Sequence, residues 1–250
     1  MINLSHLPAD LADMVRGASY GSIDIGDTKD TVIRFDKDGE TCFLKMGKIN
    51  PEAYRERDML IWLKGKLPVP DVLYWGEADG EFYQLTTAAA GKMADEQQHD
   101  VIPALADGLL QFQNIDISAC PLSNRLEQRL EAALYNIEND LVDLEDFADN
   151  GRFATPIELY DYLVRNKPDE ELCLTHGDYC LPNIFIENGK ATGFIDMGRG
   201  GVSDKCQDIA ICVRSSRKLG DNAENLLFEH LGIKPDWDKV DYYILLDELF

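Results

Sequence analysis

The chain has 250 residues, of which 45% are hydrophobic, and it carries a formal net charge of −22. This hydrophobic content excludes a disordered chain, and the negative charge argues against a nucleic-acid partner, whose phosphates would be repelled. No run of about 18 uncharged apolar residues predicts a membrane span, and no signal-peptide pattern is present. The six cysteines are scattered without a Cys-x-x-Cys pair, which favours reduced thiols and a cytoplasmic protein.

Residues 1–90 have the patterns of a small, strand-rich part. Apolar residues at helical spacing predict a helix over 1–18, and Asn50-Pro51 predicts the start of a second helix that ends near Lys64. Alternation and turn residues predict four strands, at 31–36, 40–46, 71–75 and 81–87. The small residues of 86–91 resemble a hinge.

Residues 92–250 carry helical patterns instead. The predicted helices span 101–114, 123–140, 156–166, 204–217, 221–231 and 238–249. The only strands predicted here form a hairpin around 184–196. A strand-rich part followed by a helical part predicts an α+β fold with two lobes, residues 1–90 and 92–250, and a cleft between them.

Three oxygen-bearing side chains in this hairpin region have an informative spacing. Asn183 follows Asp178 by five residues, and a hairpin that turns at Asn188-Gly189 returns Asp196 to the same end. Phosphoryl transfer needs one carboxylate to receive a hydroxyl proton, and an amide and a second carboxylate to hold Mg²⁺ on the triphosphate. We therefore predict Asp178 as the general base and Asn183 and Asp196 as Mg²⁺ ligands.

A lysine and a glutamate in the N-terminal part complete this pattern. Glu56 shares a helical stripe with apolar residues: Met59, Leu60 and Leu63. A carboxylate on such a stripe needs a partner, and Lys45, near the end of a predicted strand, could pair with it and clamp the α- and β-phosphates of ATP. Alternatively, Glu56 only lies at the border of the apolar face of an amphipathic helix, with Arg55 and Arg57 as exposed neighbours.

The residues around these motifs allow weaker interpretations. His176 is expected to be buried in the loop, and Asp208 is expected to cap a helix and brace that loop. Arg199 could brace the catalytic carboxylate or contact substrate. Residues 25–30 stand where a phosphate loop should be but lack Gly-x-Gly-x-x-Gly, so a phosphate flap and an ordinary hairpin turn remain equally open.

The chain resembles the aminoglycoside 3′-phosphotransferase family in four segments. These are 176–183, 194–199, 204–210 and the ending Tyr-Tyr-Ile-Leu-Leu-Asp-Glu-Leu-Phe. The likeness extends over nearly the whole chain. It implies a bilobal protein-kinase-like fold with a small β-rich N-lobe and a larger helical C-lobe. It also implies transfer of the ATP γ-phosphate, with Mg²⁺, to the 3′-hydroxyl of a polycationic aminoglycoside such as kanamycin, and hence antibiotic resistance.

The resemblance assigns further residues. It implies adenine contacts at Phe43, Thr87 and Ala89 and a phosphate contact at Thr28. The implied aminoglycoside contacts are Arg199, Asp143, Glu145, Asp146, Glu248 and the terminal carboxylate of Phe250. An acidic ending supports the last two, since Asp247, Glu248 and a carboxylate after a helix would attract cations.

Other functions share part of this pattern. A protein kinase is disfavoured because only 12 residues separate Asp196 from Asp208 and no Ala-Pro-Glu follows. A kinase for another amine or amino sugar would use the same loop chemistry. A non-catalytic nucleotide or amine binder is disfavoured because the predicted lysine, glutamate, base and metal ligands are all present.

Overall fold

The computed structural model describes residues 7–23, 30–95, 100–147 and 151–250. Its N-terminal strands are β1 (Ser19–Ile23), β2 (Thr31–Lys37), β3 (Glu40–Lys48), β4 (Val72–Ala78) and β5 (Glu81–Thr87). They form an antiparallel sheet in the order β1-β2-β3-β5-β4. The four predicted strands are confirmed. β1 is an addition, and its mostly exposed residues give no alternation from which a strand could be predicted.

One face of this sheet has its own small core. Helix α1 (Ala9–Met14) lies within the predicted span 1–18, of which residues 1–6 are outside the described residues. The core consists of Leu11, Val15, Ile33, Phe35, Leu44, Tyr83 and Leu85. β2 and β3 meet at a tight turn where Asp38 and Gly39 both adopt positive φ, at 53° and 86°.

Helix α2 (Pro51–Leu63) starts where the sequence predicts it. The Asn50 side chain accepts a hydrogen bond from the Ala53 N–H at 2.9 Å, and proline occupies the first helical position, where no N–H is needed. The apolar stripe of α2 consists of Met59, Leu60 and Leu63. It packs into the larger core of the C-terminal part and not into the core of the sheet. The helix therefore connects the sheet to the rest of the molecule.

Seven helices are described after residue 92. They are α3 (Val101–Gln113), α4 (Leu126–Glu138), α5 (Leu144–Phe147), α6 (Pro156–Arg165), α7 (Lys205–Ser216), α8 (Ala223–Leu231) and α9 (Trp237–Asp247). The six predicted helices are confirmed within a few residues, and the four-residue α5 is an addition. Within the described ranges, no helix combines the length and the apolar character that crossing a membrane requires.

Short strands carry the loops of interest. They are β6 (Lys92–Met93), β7 (Leu172–Thr175), β8 (Ile184–Glu187), β9 (Lys190–Phe194) and β10 (Gly201–Asp204). The predicted hairpin is confirmed as β8 and β9, with positive φ at Asn188 and Gly189. The prediction that it holds the only strands of this part is wrong, because β6 pairs with β8 and β7 pairs with β10. The strands β6, β7 and β10 have two to four residues, too few to show alternation.

Candidate active site

The loop after β7 is fixed by buried hydrogen bonds. His176 is fully buried, and its Nε2 atom lies 2.9 Å from the Ile195 carbonyl oxygen. The backbone N–H groups of His176 and Gly177 donate to the two carboxylate oxygens of Asp208, at 2.6 and 2.9 Å. His176 is therefore buried as expected, and the backbone leading to Asp178 is rigidly placed.

Asp208 braces this loop but does not cap a helix. The cap of α7 is Asp204, whose side chain accepts a hydrogen bond from the Cys206 N–H at 3.0 Å. Asp208 lies one turn further along, with a side chain that points back to the loop. Burial raises the pKa of the Asp208 carboxyl, while the nearby His176 ring and the two backbone N–H donors oppose that rise. The prediction of a capping role is therefore wrong, and the bracing role has a different geometry.

Asn183 connects the candidate base to the hairpin. Its Nδ2 atom donates to Asp178 Oδ2 at 2.9 Å and to the Asp178 carbonyl oxygen at 3.0 Å. The same atom lies 3.2 Å from Cys180 Sγ. The Ile195 N–H donates to the Asn183 carbonyl at 3.1 Å, which places the residue before Asp196 directly against Asn183. The structure thus brings Asp178, Asn183 and Asp196 together.

Lys45 joins this group from the sheet. Its Nζ atom lies 2.9 Å from Glu56 Oε2 and 3.2 Å from Asp196 Oδ1. Glu56 is 6% exposed on α2, so its carboxylate is paired as the helical stripe required. Asp196 has the left-handed backbone conformation, with φ 60° and ψ 55°, which is uncommon for residues other than glycine. It directly precedes a short helical turn.

The charges of the three groups stabilise one another. Burial alone favours loss of the Lys45 proton, but the adjacent carboxylates of Glu56 and Asp196 raise the pKa of Lys45 well above its usual range. Burial also disfavours the charged form of Asp196, yet the Lys45 ammonium holds its pKa below the ordinary value. At Glu56, burial raises the pKa and Lys45 opposes the rise. A charged lysine and an ionised Asp196 follow from this balance.

The oxygens of Asn183 and Asp196 fit a magnesium ion. All hydrogen bonds described for the Asn183 side chain use its Nδ2 atom, which leaves Oδ1 as an acceptor, and Asp196 contacts Lys45 through Oδ1 alone. Amide and carboxylate oxygens are hard ligands that Mg²⁺ prefers, and Mg²⁺ commonly takes one or two protein ligands beside phosphates and water. No group of three His, Cys, Asp or Glu side chains within the described ranges could hold a metal by itself.

Of the adenine positions implied by the resemblance, Phe43 lies on the same side of the sheet as Lys45, whereas Thr87 pairs with Cys42 and projects to the opposite side. Phe43 is half-buried on β3, two residues before Lys45, and pairs with Thr86 of β5. The Thr87 hydroxyl accepts a hydrogen bond from the Asp71 N–H at 2.9 Å, and the Thr87 N–H donates to the Asp71 carbonyl at 3.0 Å. Among the described residues the Ala89 N–H has no acceptor, and this leaves it for an adenine edge. Thr28 lies in 24–29, outside the described residues.

The C-terminal acidic residues Asp247 and Glu248 both contact arginine side chains. Asp247, at the end of α9, is almost buried and accepts hydrogen bonds from Arg214 Nη2 at 2.5 Å and from Arg129 Nη2 at 3.4 Å. The expectation that Asp247 attracts cations is therefore wrong, since two guanidinium groups already neutralise it. Glu248 lies next along the chain, with one oxygen 3.8 Å from Arg214 Nη1.

Two arginines flank the terminal ring. The guanidinium carbon of Arg129 lies 4.7 Å from the centre of the Phe250 ring, and that of Arg199 lies 6.0 Å from it. Arg199 also approaches Glu52 of α2, with Nε 3.5 Å from Oε1. The two implied substrate residues, Arg199 and Phe250, are thus neighbours at the edge of the site.

The acidic segment that is expected to contact the substrate includes the short helix α5. Asp143 is exposed at the start of α5. The side chains of Glu145 and Asp146 lie outside the described residues, as do residues 148–150. The position of the segment therefore follows only from α5 and from Asp143.

Sequence reasoning missed the residues of α4 that hold the C-terminal segment. Arg129 is 3% exposed, and Asn136 Nδ2 donates to the Leu249 carbonyl at 2.9 Å. Arg129 lies on the buried stripe of α4 together with Leu126, Leu130 and Ala133. An arginine on the apolar stripe of an amphipathic helix is the signal that could have identified it.

Comparisons with known proteins agree with this geometry. The model of the phosphotransferase enzyme family (APH) matches residues 25–243. An aminoglycoside 3′-phosphotransferase of Enterococcus faecalis is 45% identical over 228 residues, which cover 85% of this chain and 86% of that protein. The chain belongs to the aminoglycoside 3′-phosphotransferase family. A relative from Staphylococcus aureus is 44% identical over 228 residues, covering 85% of this chain and 87% of that protein.

Solved structures of the family share the fold. The crystal structure of an aminoglycoside-3′-phosphotransferase of type VIII matches with a TM-score of 0.86 at 27% identity, covering 96% of this chain and 97% of that one. APH(3″)-Id from Streptomyces rimosus, in complex with ADP and streptomycin, matches with a TM-score of 0.82 at 25% identity and covers 96% and 95%. The predicted protein-kinase-like fold, an N-terminal antiparallel sheet followed by a largely helical part, is confirmed.

Proposed function

We propose that this family member transfers the γ-phosphate of ATP, with Mg²⁺, to the 3′-hydroxyl of a polycationic aminoglycoside and so gives antibiotic resistance. The observation that carries the proposal is the meeting of one lysine, two acidic side chains and the base–amide pair in a single site: Lys45, Glu56, Asp196, Asp178 and Asn183. The 44–45% identity to two aminoglycoside 3′-phosphotransferases supports the same reaction.

In this proposal, Asp178 accepts the proton of the 3′-hydroxyl. The hydrogen bond from Asn183 Nδ2 to Asp178 Oδ2 fixes the orientation of the carboxylate, which a general base needs to reach its proton. The rigid backbone of the loop, held by Asp208, keeps that orientation. Positioning of this kind supplies much of the rate in phosphoryl transfer, because the protein does little covalent chemistry.

Lys45 would hold the nucleotide phosphates. Its ammonium has three donors, of which Glu56 and Asp196 occupy two, so one remains for a phosphate oxygen. Asn183 Oδ1 and Asp196 would hold the Mg²⁺ ion. When bound, the ion would supply positive charge that offsets the negative charge developing on the transferred phosphoryl group.

The aminoglycoside side of the proposal depends on acidic groups. Glu248, Asp143, Glu145 and Asp146 would receive the ammonium groups of the substrate, with Arg199 and Phe250 nearby. The ADP and streptomycin complex of the Streptomyces rimosus relative supports binding of a nucleotide and an aminoglycoside by this fold. We infer a cytoplasmic site of action, because ATP is available there and all six cysteines are free thiols.

A matched pair of aminoglycosides that differ only in the 3′-hydroxyl tests the proposal. We expect ADP release and a product heavier by one phosphate with the hydroxylated compound, and neither with the 3′-deoxy compound. Phosphorylation of the 3′-deoxy compound would exclude the 3′-position as the acceptor. Turnover with choline or a simple amino sugar and none with any aminoglycoside would overturn the substrate class.

Glu248→Gln should raise the KM for the aminoglycoside roughly tenfold, because glutamine can still make a neutral hydrogen bond and loses only the charge assistance, about 1–1.5 kcal/mol. Glutamine keeps the size of the side chain, whereas deleting 248–250 would also remove the fully buried Leu249. The KM for ATP should stay within about twofold, since the lost charge faces Arg214 and the proposed amine and not the proposed nucleotide site. Steady-state kinetics with each substrate varied in turn measure both constants.

The matched control for this prediction is Glu229→Gln, which removes the same charge from an exposed position on α8. It should leave both KM values unchanged. Equal increases in the two KM values for Glu248→Gln would indicate a structural role for this residue instead of an amine contact.

A further inference from the structure

The guanidinium group of Arg55 connects α2 to the turn that follows Asp196, which comprises residues 197–200. Arg55 Nε donates to the Gly198 carbonyl at 3.0 Å, and Nη2 donates to the Gly200 carbonyl at 2.9 Å. The same Nη2 lies 3.4 Å from the Ser123 carbonyl. Arg55 was expected to be an exposed neighbour of Glu56, but its side chain is half-buried and makes contacts between two distant parts of the chain.

The first turn of α2 also lies directly against this turn. A Cβ atom on Gly198 would be 2.5 Å from Glu52 Cγ and 3.1 Å from the Glu52 carbonyl, so a side chain at this position would require Glu52 to move. The Glu52 carboxylate approaches Arg199, the next residue, at 3.5 Å. Side-chain and backbone contacts therefore hold the same two segments together next to the Arg55 contacts.

Two sets of contacts link α2 to the segment that carries Asp196. Glu56 is the residue after Arg55 on α2, and Asp196 precedes the turn by one residue. Lys45 bridges Glu56 and Asp196 on one side, at 2.9 and 3.2 Å, while Arg55 ties α2 to the turn on the other. The separation of the Glu56 and Asp196 carboxylates is thus set from both sides.

We propose that Arg55 is a positioning residue for phosphoryl transfer, which holds the Asp196 carboxylate in place for Mg²⁺ and Lys45 before the nucleotide binds. The inference deepens the proposed function and depends on it for the identity of the metal site. Arg55 acts only through the backbone of the turn and contacts none of the reacting groups.

Arginine suits this role for a geometric reason. Its planar fork presents several N–H groups in fixed directions, so one side chain can reach the Gly198 and Gly200 carbonyls together. A lysine would offer a single nitrogen and would satisfy one carbonyl well. The expected cost of losing the fork is a shift of the turn, and a misplacement of about 1 Å can lower a rate by about 10²-fold.

Arg55→Met tests the inference, with Arg57→Met as the matched control. Arg57 is on the same helix but lies over the Trp75 ring at 4.9 Å and pairs with Asp58, and no contact with the turn is described for it. For Arg55→Met we expect kcat to fall between 10- and 100-fold, while the KM for the aminoglycoside stays within about twofold. The Mg²⁺ concentration needed for half-maximal ATP binding, measured by calorimetry, should rise about tenfold.

Hydrogen exchange of the nucleotide-free protein gives a readout that does not require activity. Amides of 197–203 should exchange at least tenfold faster in Arg55→Met than in the wild type or in Arg57→Met, because the turn loses its anchor. Arg55→Lys should give intermediate values in calorimetry and exchange. It also provides the test if the methionine variant does not fold.

Two outcomes would overturn the inference. The first is unchanged Mg²⁺ dependence and unchanged exchange in Arg55→Met and Arg55→Lys. The second is a lower melting temperature alone, which would make Arg55 merely structural. A wild-type protein that binds Mg²⁺ and ATP but phosphorylates no aminoglycoside would defeat the proposed function, while calorimetry and exchange would still decide the role of Arg55.

Discussion

Asp178→Asn should lower kcat for aminoglycoside phosphorylation by roughly 10²–10⁴-fold, the usual contribution of a general base. Asparagine has nearly the same shape, and its side-chain oxygen can still accept the hydrogen bond that Asn183 Nδ2 now gives to Asp178 Oδ2. The loop should therefore keep its conformation, since Asp208 holds its backbone independently. Steady-state kinetics and calorimetric titration with ATP measure the two effects.

Asp178→Asn should slow only the phosphoryl-transfer step and leave nucleotide binding unchanged. ATP should bind to Asp178→Asn with its normal affinity, because Lys45 and Asp196 are unchanged. Asp221→Asn removes the same charge from an exposed residue before α8 and should have wild-type kcat. Full activity of Asp178→Asn would remove this carboxylate from the mechanism, and parallel loss of ATP affinity would assign it to nucleotide binding instead.

Lys45→Met should lower kcat/KM for ATP by roughly 10²–10³-fold, the cost of removing one well-placed donor from a site of developing charge. The variant loses the donor available to phosphate and also the cation between Glu56 and Asp196. Removing one partner of a buried ion pair commonly destabilises a protein by about 3–5 kcal/mol. Chemical denaturation measures this cost, and kinetics measure the loss of ATP use.

The stability cost of Lys45→Met should depend on pH. Burial already raises the pKa of Glu56, and without Lys45 nothing in the pair opposes that rise. A carboxyl whose pKa is higher in the folded state binds a proton more readily there, so the variant should regain stability as the pH falls from 8 toward 5. The exposed Lys48→Met, on the same strand, is the matched control and should show neither effect.

Affinity for the aminoglycoside should change little in Lys45→Met, since the acidic residues proposed to bind it lie elsewhere. A wild-type kcat/KM for ATP would show that Lys45 does not contact phosphate. A stability loss that is the same at pH 5 and pH 8 would contradict the explanation through the protonation of Glu56.

Local patterns were sufficient to predict most of the candidate site. Asp178 and Asn183 are five residues apart on one loop, so the chain itself keeps them close. A hairpin must return Asp196 to the end at which the hairpin began, so neither inference needs knowledge of the whole fold. The pair of Lys45 and Glu56 could be predicted because a carboxylate on an apolar stripe requires a cation.

The missed residues depend on contacts between segments that are distant in sequence. Arg55 bonds to carbonyls more than 140 positions away, and nothing in its own helix distinguishes it from Arg57. Asp247 looked available because its two guanidinium partners, on α4 and α7, are not visible from the C-terminal segment. The short β7 and β10 exist mainly because they pair with each other.

The placement of α2 has a mechanical consequence. Its apolar stripe belongs to the large core, while the sheet that carries Lys45 has a separate core of its own. Any widening of the crevice that admits ATP or releases ADP would therefore move the sheet over a stationary helix. The ion pairs of Lys45 with Glu56 and with Asp196 cross that boundary, as does the hydrogen bond from the Tyr54 hydroxyl to Glu77, so nucleotide exchange would strain these bonds while the floor of the crevice stays intact.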